Sequence, residues 1–131
     1  MVTIGMILAG LLGILHIVIA YLEMFAKPEV QANAFDMDLD FVKQSGAQLA
    51  LKNQGIYNAA LGVLFLLGFV MFTAHAQVVF FELLSLFVVV VGLYGGATVT
   101  KKIYLIQALP GAVTLLLLFL RYTSNRLTSD N

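Results

Sequence analysis

Four long apolar stretches fill most of this 131-residue chain. They run from about Thr3 to Ala26, Asn53 to Phe72, Gln77 to Thr98 and Ile103 to Leu120. A helix needs roughly 20 apolar residues to cross about 30 Å of hydrocarbon, and each stretch approaches or exceeds that length. The expected fold is therefore all-α, an integral membrane four-helix bundle, antiparallel and up-and-down, with one longer loop after the first helix. Residues 1–131 read as a single four-helix transmembrane domain.

Composition supports that class and removes others. Apolar residues make up 61% of the chain, with only seven basic and seven acidic residues. Soluble proteins carry about a quarter charged residues, so a water-exposed globule is excluded. No basic residue precedes the first stretch, and it runs long without a clear cleavage motif, so it reads as a retained helix rather than a signal peptide. Without cysteine there is no disulfide, thiolate ligand or cysteine nucleophile. Two histidines without close carboxylate spacing do not make a zinc site, and no metal is expected. A formal charge of zero without a basic run argues against nucleic acid as a partner. The expected partners are membrane lipid, a further copy of the chain and a small molecule whose identity, like that of any cofactor, the sequence does not give.

The one substantial connection is KPEVQANAFDMDLDFVKQSGAQLALK, residues 27–52. Pro28 lacks an amide donor and marks the exit from the first helix. Asp36 reads as the cap of a short segment in which Met37, Phe41 and Val42 alternate with Asp38, Asp40, Lys43 and Gln44. That pattern fits an interfacial amphipathic helix and a solvated loop equally well. The other connections, TAHA and the stretch around Lys101 and Lys102, are short and impose antiparallel neighbours. Lys27, Lys43, Lys52, Lys101 and Lys102 then share one membrane side, with Arg121 and Arg126 on the other. The positive-inside tendency places the lysine-bearing long loop and third turn in the cytoplasm and both termini outside.

Threading the stretches up and down brings polar residues from four separate segments to one membrane face. They are Glu23 from the first, Asn53, Gln54, Tyr57 and Asn58 from the second, Tyr94 and Thr98 with Thr100 from the third, and Gln107 from the fourth. Gln54, Asn58 and Gly62 recur every four residues and line one helix face, with Asn53 and Tyr57 on the adjacent ridge. Such groups are costly against lipid unless bonded. Two readings fit them, a polar pocket open on the lysine-bearing side and an interhelical hydrogen-bond network.

His16 lies near the middle of the first stretch, and Glu23 follows it on almost the same face, about 10 Å along the axis. That excludes a direct bond within the helix. His16 fits a proton-exchanging group assisted by Glu23 and, equally, a neutral histidine bonded to another helix. Haem ligation would want a second mid-membrane histidine, and the chain offers no obvious one. Glu82 enters the third stretch from the opposite side and reads as a boundary carboxylate more than an intramembrane acid. Glycines at 10, 13, 62, 68, 92, 95 and 96 permit close helix packing. Pro110 deprives the Ile106 carbonyl of its usual donor and is expected to bend the fourth helix near Gly111.

At these residues the chain resembles a family of small bacterial inner-membrane proteins of unknown function. The matching pieces are GLLGILHIVIAYLEMF, LKNQGIYNAALG, GLYGGATV and IQALPGAV, and the resemblance extends over nearly the whole chain. The resemblance implies a four-helix integral membrane fold in the bacterial cytoplasmic membrane and carries no substrate, activity or cofactor.

The leading functional expectation is a module that binds or helps transport a small molecule. Its site would draw on His16, Glu23, Asn53, Gln54, Tyr57, Asn58, Tyr94, Thr98 and Gln107. Transporters commonly build such sites between repeats, and no convincing repeat is visible, which counts against transport. The alternatives are an intramembrane enzyme acting on a lipid-like substrate, with His16 and Glu23 as acid and base, and a structural or assembly subunit.

Overall fold

The computed structural model describes the backbone of residues 2–129 and the side chains of residues 3–120. Arg121 and Arg126, expected on the membrane side away from the lysines, lie outside the described side chains. The described chain is all-helical, and three of its helices are long and apolar enough to cross a membrane.

The first is α1, Val2–Phe25, with no proline or charge until Glu23. Lys27 is extended, φ −66° and ψ 150°, as the residue before a proline should be, and Pro28 opens a new helix, α2, Pro28–Phe35. The long connection is thus largely helical. Asp36 closes α2 in the left-handed conformation, φ 52° and ψ 41°, with its N–H bonded to the Ala32 carbonyl. The expectation that Asp36 starts a segment is corrected here. Pro28 starts a helix upstream, and Asp36 falls at its end, where a short polar side chain tolerates the left-handed region. Asp38 is the N-cap instead, its carboxylate accepting from the Phe41 N–H at 2.9 Å. The helix it starts, α3, spans only Leu39–Val42, one turn rather than an extended amphipathic helix.

The next helix, α4, runs Ser45–Met71. It begins before Asn53, where hydropathy alone would start it, because Ala47, Leu51, Gly55 and Asn58 already form one buried face. A tight turn in which Ala74 takes a positive φ of 50° leads into α5, Ala74–Thr98. Then comes a π-turn at Tyr104–Ala108, where the Leu109 N–H reaches back to the Tyr104 carbonyl, followed by α6, Leu109–Ser129. Pro110 therefore acts one turn earlier than expected. It cannot donate to the Ile106 carbonyl, and an inserted residue shifts the bonding register ahead of it.

Packing follows the small residues. A Cβ on Gly62 would stand 2.6 Å from the Gly13 carbonyl oxygen, so α1 and α4 touch through backbone. A Cβ on Gly92 would stand 2.8 Å from the Ala108 nitrogen, which seats the π-turn directly on α5. At the far end Gly5 of α1 faces Leu118 of α6. The core between these contacts is Ala9, Leu12, Leu61, Phe65, Phe81, Val88 and Leu118. Outward, Ile4, Ile7, Leu11 and Ile14 form a helical stripe of exposed apolar side chains, a surface suited to hydrocarbon. In hydrocarbon, where lipid tails are as apolar as leucine, burial against a neighbouring helix would gain little, and close packing and hydrogen bonds would carry the association.

Two of those bonds share a design. Neither α1 nor α4 ends on a glycine that could tie off its last carbonyls. Gln31 donates its amide to the Leu22 and Glu23 carbonyls at 3.0 and 2.9 Å, and Gln77 donates to those of Gly68 and Phe72, both at 3.0 Å. In each case the next helix supplies a glutamine that satisfies carbonyls the helix end leaves open.

Candidate functional site

The helices α2 and α3 fold over the C-terminal ends of α1 and α5 and the start of α4. Val42 is fully buried in this cap, where Ala32 and Leu51 meet Phe35, Met37 and Leu39. Gln48 ties the cap to α4 by donating to the Gln31 side-chain oxygen at 2.7 Å and the Val42 carbonyl at 2.9 Å. Beneath it lies a cavity of about 1050 Å³, walled by α1, α4, α5 and the start of the last helical segment.

Most of that wall is apolar. Leu15, Ile19 and Leu22 come from α1, Val90 and Val91 from α5, and Ile103 and Ile106 from the chain after α5. Into it project Glu23, Gln54, Asn58, Thr98 and Gln107. The Asn58 amide donates to Glu23 Oε2 at 2.7 Å, and both side chains are buried, at 8% and 6% exposure. This pairing depends on Gly55. A Cβ there would run into Met24 and stand 3.2 Å from the Glu23 Cβ, so the missing side chain lets α4 approach until Asn58 reaches the carboxylate. Gln31 holds the Glu23 carbonyl from the other side, so the cap is tied to the same residue that carries the carboxylate.

At the rim a second polar cluster joins the cap to the connection after α5. Asp36 pairs with Lys102 at 2.6 Å and accepts from Thr100 at 2.5 Å, while Lys102 also donates to the Asn33 carbonyl at 3.3 Å. The Lys102 ammonium, and then the Thr100 hydroxyl, hold the Asp36 carboxyl below the ordinary carboxylate range. Thr100, Lys102, Phe35 and Met37 all line the cavity, so this tie lies across its edge.

Of the residues singled out in the sequence, Glu23, Gln54, Asn58, Tyr94, Thr98 and Gln107 line the cavity. Tyr94 stands at its margin, 74% exposed, and Thr98 uses its hydroxyl on the Tyr94 carbonyl at 2.8 Å. Asn53 and Tyr57 do not line it. Their ridge on α4 turns away from the Gln54–Asn58 face, leaving Tyr57 66% exposed. His16 also stands apart. It is fully buried, with Nδ1 2.8 Å from the Leu12 carbonyl oxygen and its ring stacked on Phe65 at 6.3 Å between centroids. Its Nε2 has no partner among the described residues, and no bond joins it to Glu23. Among the described residues no three His, Cys, Asp or Glu side chains gather as a metal site would need.

Sequence reasoning passed over Gln31, Gln48 and the Asp36–Lys102 pair. Gln31 and Gln48 sit in a connection read as loop; only a helical reading from Pro28 would have given Gln31 a buried face, and Gln48 needed α4 to start at Ser45 rather than near Asn53.

Residues 10–119, which include every polar residue lining the cavity, match a family model described as "Protein of unknown function (DUF1304)". The chain belongs to this family. It is also 34% identical over 108 residues to a protein named "Uncharacterized protein YpaA" from Lactococcus lactis subsp. lactis (strain IL1403). That alignment covers 82% of this chain and 89% of the relative. No solved structure matches.

Proposed function

We propose that the chain is a multi-pass protein of the bacterial cytoplasmic membrane, a single four-helix unit that binds a small molecule in the cavity beside Glu23 and Asn58. The observation that carries this reading is the cavity itself. Its volume, about 1050 Å³, lies at the upper end of ligand sites, and a few polar groups converge in an otherwise apolar wall. A purely structural network would leave little space between the groups it joins.

Several features support the membrane arrangement. The contacts of Gly13 with Gly62, Gly92 with Ala108 and Gly5 with Leu118 all pair antiparallel helices. The apolar helical stretch Tyr104–Leu120 is about 26 Å long, and α6 continues beyond it to Ser129, so a fourth crossing is within reach. The lysines cluster at the capped end, which favours placing the cap in the cytoplasm. Asn53 and Tyr57 on the outer ridge of α4 then lie close to the membrane boundary, where a tyrosine is a favoured anchor.

An enzyme reading has less support. The cavity brings one carboxylic acid, Glu23, together with amides and hydroxyls, and His16 is enclosed among Leu12 and Phe65 in the core.

The test is native mass spectrometry of protein purified in native lipid discs. A reproducible non-bilayer mass, retained by the unaltered protein and lost in Gln54→Ala with helix content unchanged, is the expected result. A protein that retains nothing, or retains the same mass in both forms, would overturn the assignment. A stoichiometric protein partner in the spectrum would instead favour an assembly role.

A further inference from the structure

The cavity is graded from end to end. Its polar groups gather beneath the cap, while Leu15 on α1 and Val90 on α5 lie about 12 Å further along their helices than Glu23 and Thr98 respectively. Both helices run toward the cap, so the polar end of the cavity lies at the cap and the apolar end reaches toward the bilayer centre. Such a gradient matches a molecule with a small head and an apolar tail.

The charges define the head. Among the lining residues Glu23 is the one carboxylate and Lys102 the one cation, and Lys102 is engaged at the rim with Asp36. An ionised Glu23 repels an anion. A neutral Glu23 still leaves the anion's charge without a free cation beside it, in a wall that is mostly hydrocarbon. An anionic head is disfavoured in either case.

Hydrogen bonding narrows the choice further. Asn58 directs its amide donor to Glu23 Oε2, which leaves Glu23 Oε1 and Asn58 Oδ1 without a partner among the described residues. Both are acceptors when the carboxyl is ionised, and Glu23 is more than nine-tenths buried. Gln54 and Gln107 add two amides to the same end, each able to accept as well as donate.

We infer that the cavity takes a membrane-borne amphiphile whose head is neutral or cationic and donates a hydrogen bond, a hydroxyl or an amine, to the Glu23–Asn58 pair. The inference rests on the ligand-binding reading above and gives it a chemical class. The tail runs along Ile19, Leu15 and Val90, and the cap closes over the head.

The experiment uses the full chain in phosphatidylcholine discs with trace hexadecanol, hexadecylamine or hexadecyl sulfate, read by native mass spectrometry. The three probes share a tail and differ in the head. The alcohol and the amine are expected to bind and the sulfate to be excluded. Glu23→Gln is expected to weaken the amine about tenfold or more, because a charge-assisted bond is lost, and to weaken the alcohol less. Val91→Trp, which crowds the apolar wall from a partly exposed position, is expected to weaken alcohol and amine alike.

Sulfate binding equal to that of the amine, or amine binding indifferent to Glu23→Gln, overturns the assignment of the head while the ligand-binding reading stands. If none of the probes binds and the unaltered protein retains no other molecule, both fail. Should Glu23→Gln not fold, the comparison of the three heads on the unaltered protein decides alone.

Discussion

Gln31 is the residue through which the cap, the end of α1 and the cavity carboxylate are joined, and replacing it with leucine tests that role. The side chain is fully buried, so Gln31→Leu keeps its bulk and removes its bonds. Three vanish: those to the Leu22 and Glu23 carbonyls and the one accepted from Gln48. At a net of about 1 kcal/mol each, the loss is about 3 kcal/mol, and it rises toward about 5 kcal/mol where the two carbonyls find no water. Gln48 keeps its bond to the Val42 carbonyl, so α4 should hold its start. The damage is therefore local, and 3 kcal/mol corresponds to about a 150-fold rise in the open population of the cap. Amide hydrogen exchange read by mass spectrometry should show that rise across residues 28–44, with peptides from the middle of α1 and α4 unchanged. Ligand retention should weaken as well, since the Glu23 peptide unit loses its support. Protection across 28–44 that stays within about threefold of the unaltered protein, a change worth under about 1 kcal/mol, would refute the argument.

Three further outcomes follow from the geometry. Gly62→Ala places a methyl 2.6 Å from the Gly13 carbonyl and 2.7 Å from Ile17, so α1 and α4 must part. A loss of about 1–3 kcal/mol is expected in detergent-driven unfolding, and an unchanged midpoint would contradict the backbone contact. The Asp36 carboxyl is held below its ordinary value of 3.8, so its stabilising tie to Lys102 and Thr100 is fully present above that value and is lost as pH falls through the lower, folded one. Hydrogen exchange of α2 and α3 should accelerate on that acid limb, and Lys102→Gln should shift the step upward toward the ordinary value; a step that does not move would exclude Lys102 as its cause. His16→Leu removes a buried nitrogen that lacks a partner among the described residues, and it should leave ligand retention intact; loss of the bound mass with a folded protein would show that His16 belongs to the site after all.

The helices were readable from composition because hydrocarbon imposes a length that few soluble segments meet. The connection after α1 was not, because its helices, eight and four residues long, are too short to show a clear periodicity. Pro28 signals an end and a beginning with the same chemistry. It has no amide to continue α1 and a fixed φ that suits the first position of α2. Reading only the first meaning left Gln31 in a loop, where it has no reason to be buried. A similar limit applies at Pro110. The missing donor at Ile106 was legible, but the response, a π-turn seated on Gly92, depends on a neighbouring helix that no local pattern reveals.

The polar residues separate by a finer rule than the one that gathered them. Threading the stretches up and down assigns each residue a height in the membrane, and by height alone Asn53, Gln54, Tyr57 and Asn58 belong together. A helix turns about 100° per residue, so neighbours in sequence at one height face different directions. The close approach at Gly55 decides which direction is inward. It presses α4 onto α1 along the face that carries Asn58, and Asn53 and Tyr57 are thereby turned outward. Glu23 is inward for the same reason, and His16 is inward too but deeper, where Leu12 and Phe65 leave it no opening to the cavity. One glycine thus brings Glu23 and Asn58 together out of a larger set of polar residues. Gly55→Ala should separate Glu23 from Asn58 and weaken ligand retention more than Gly46→Ala, a position with nothing within 4 Å of an added methyl. Equal retention in the two variants would mean that the acceptor pair does not hold the ligand.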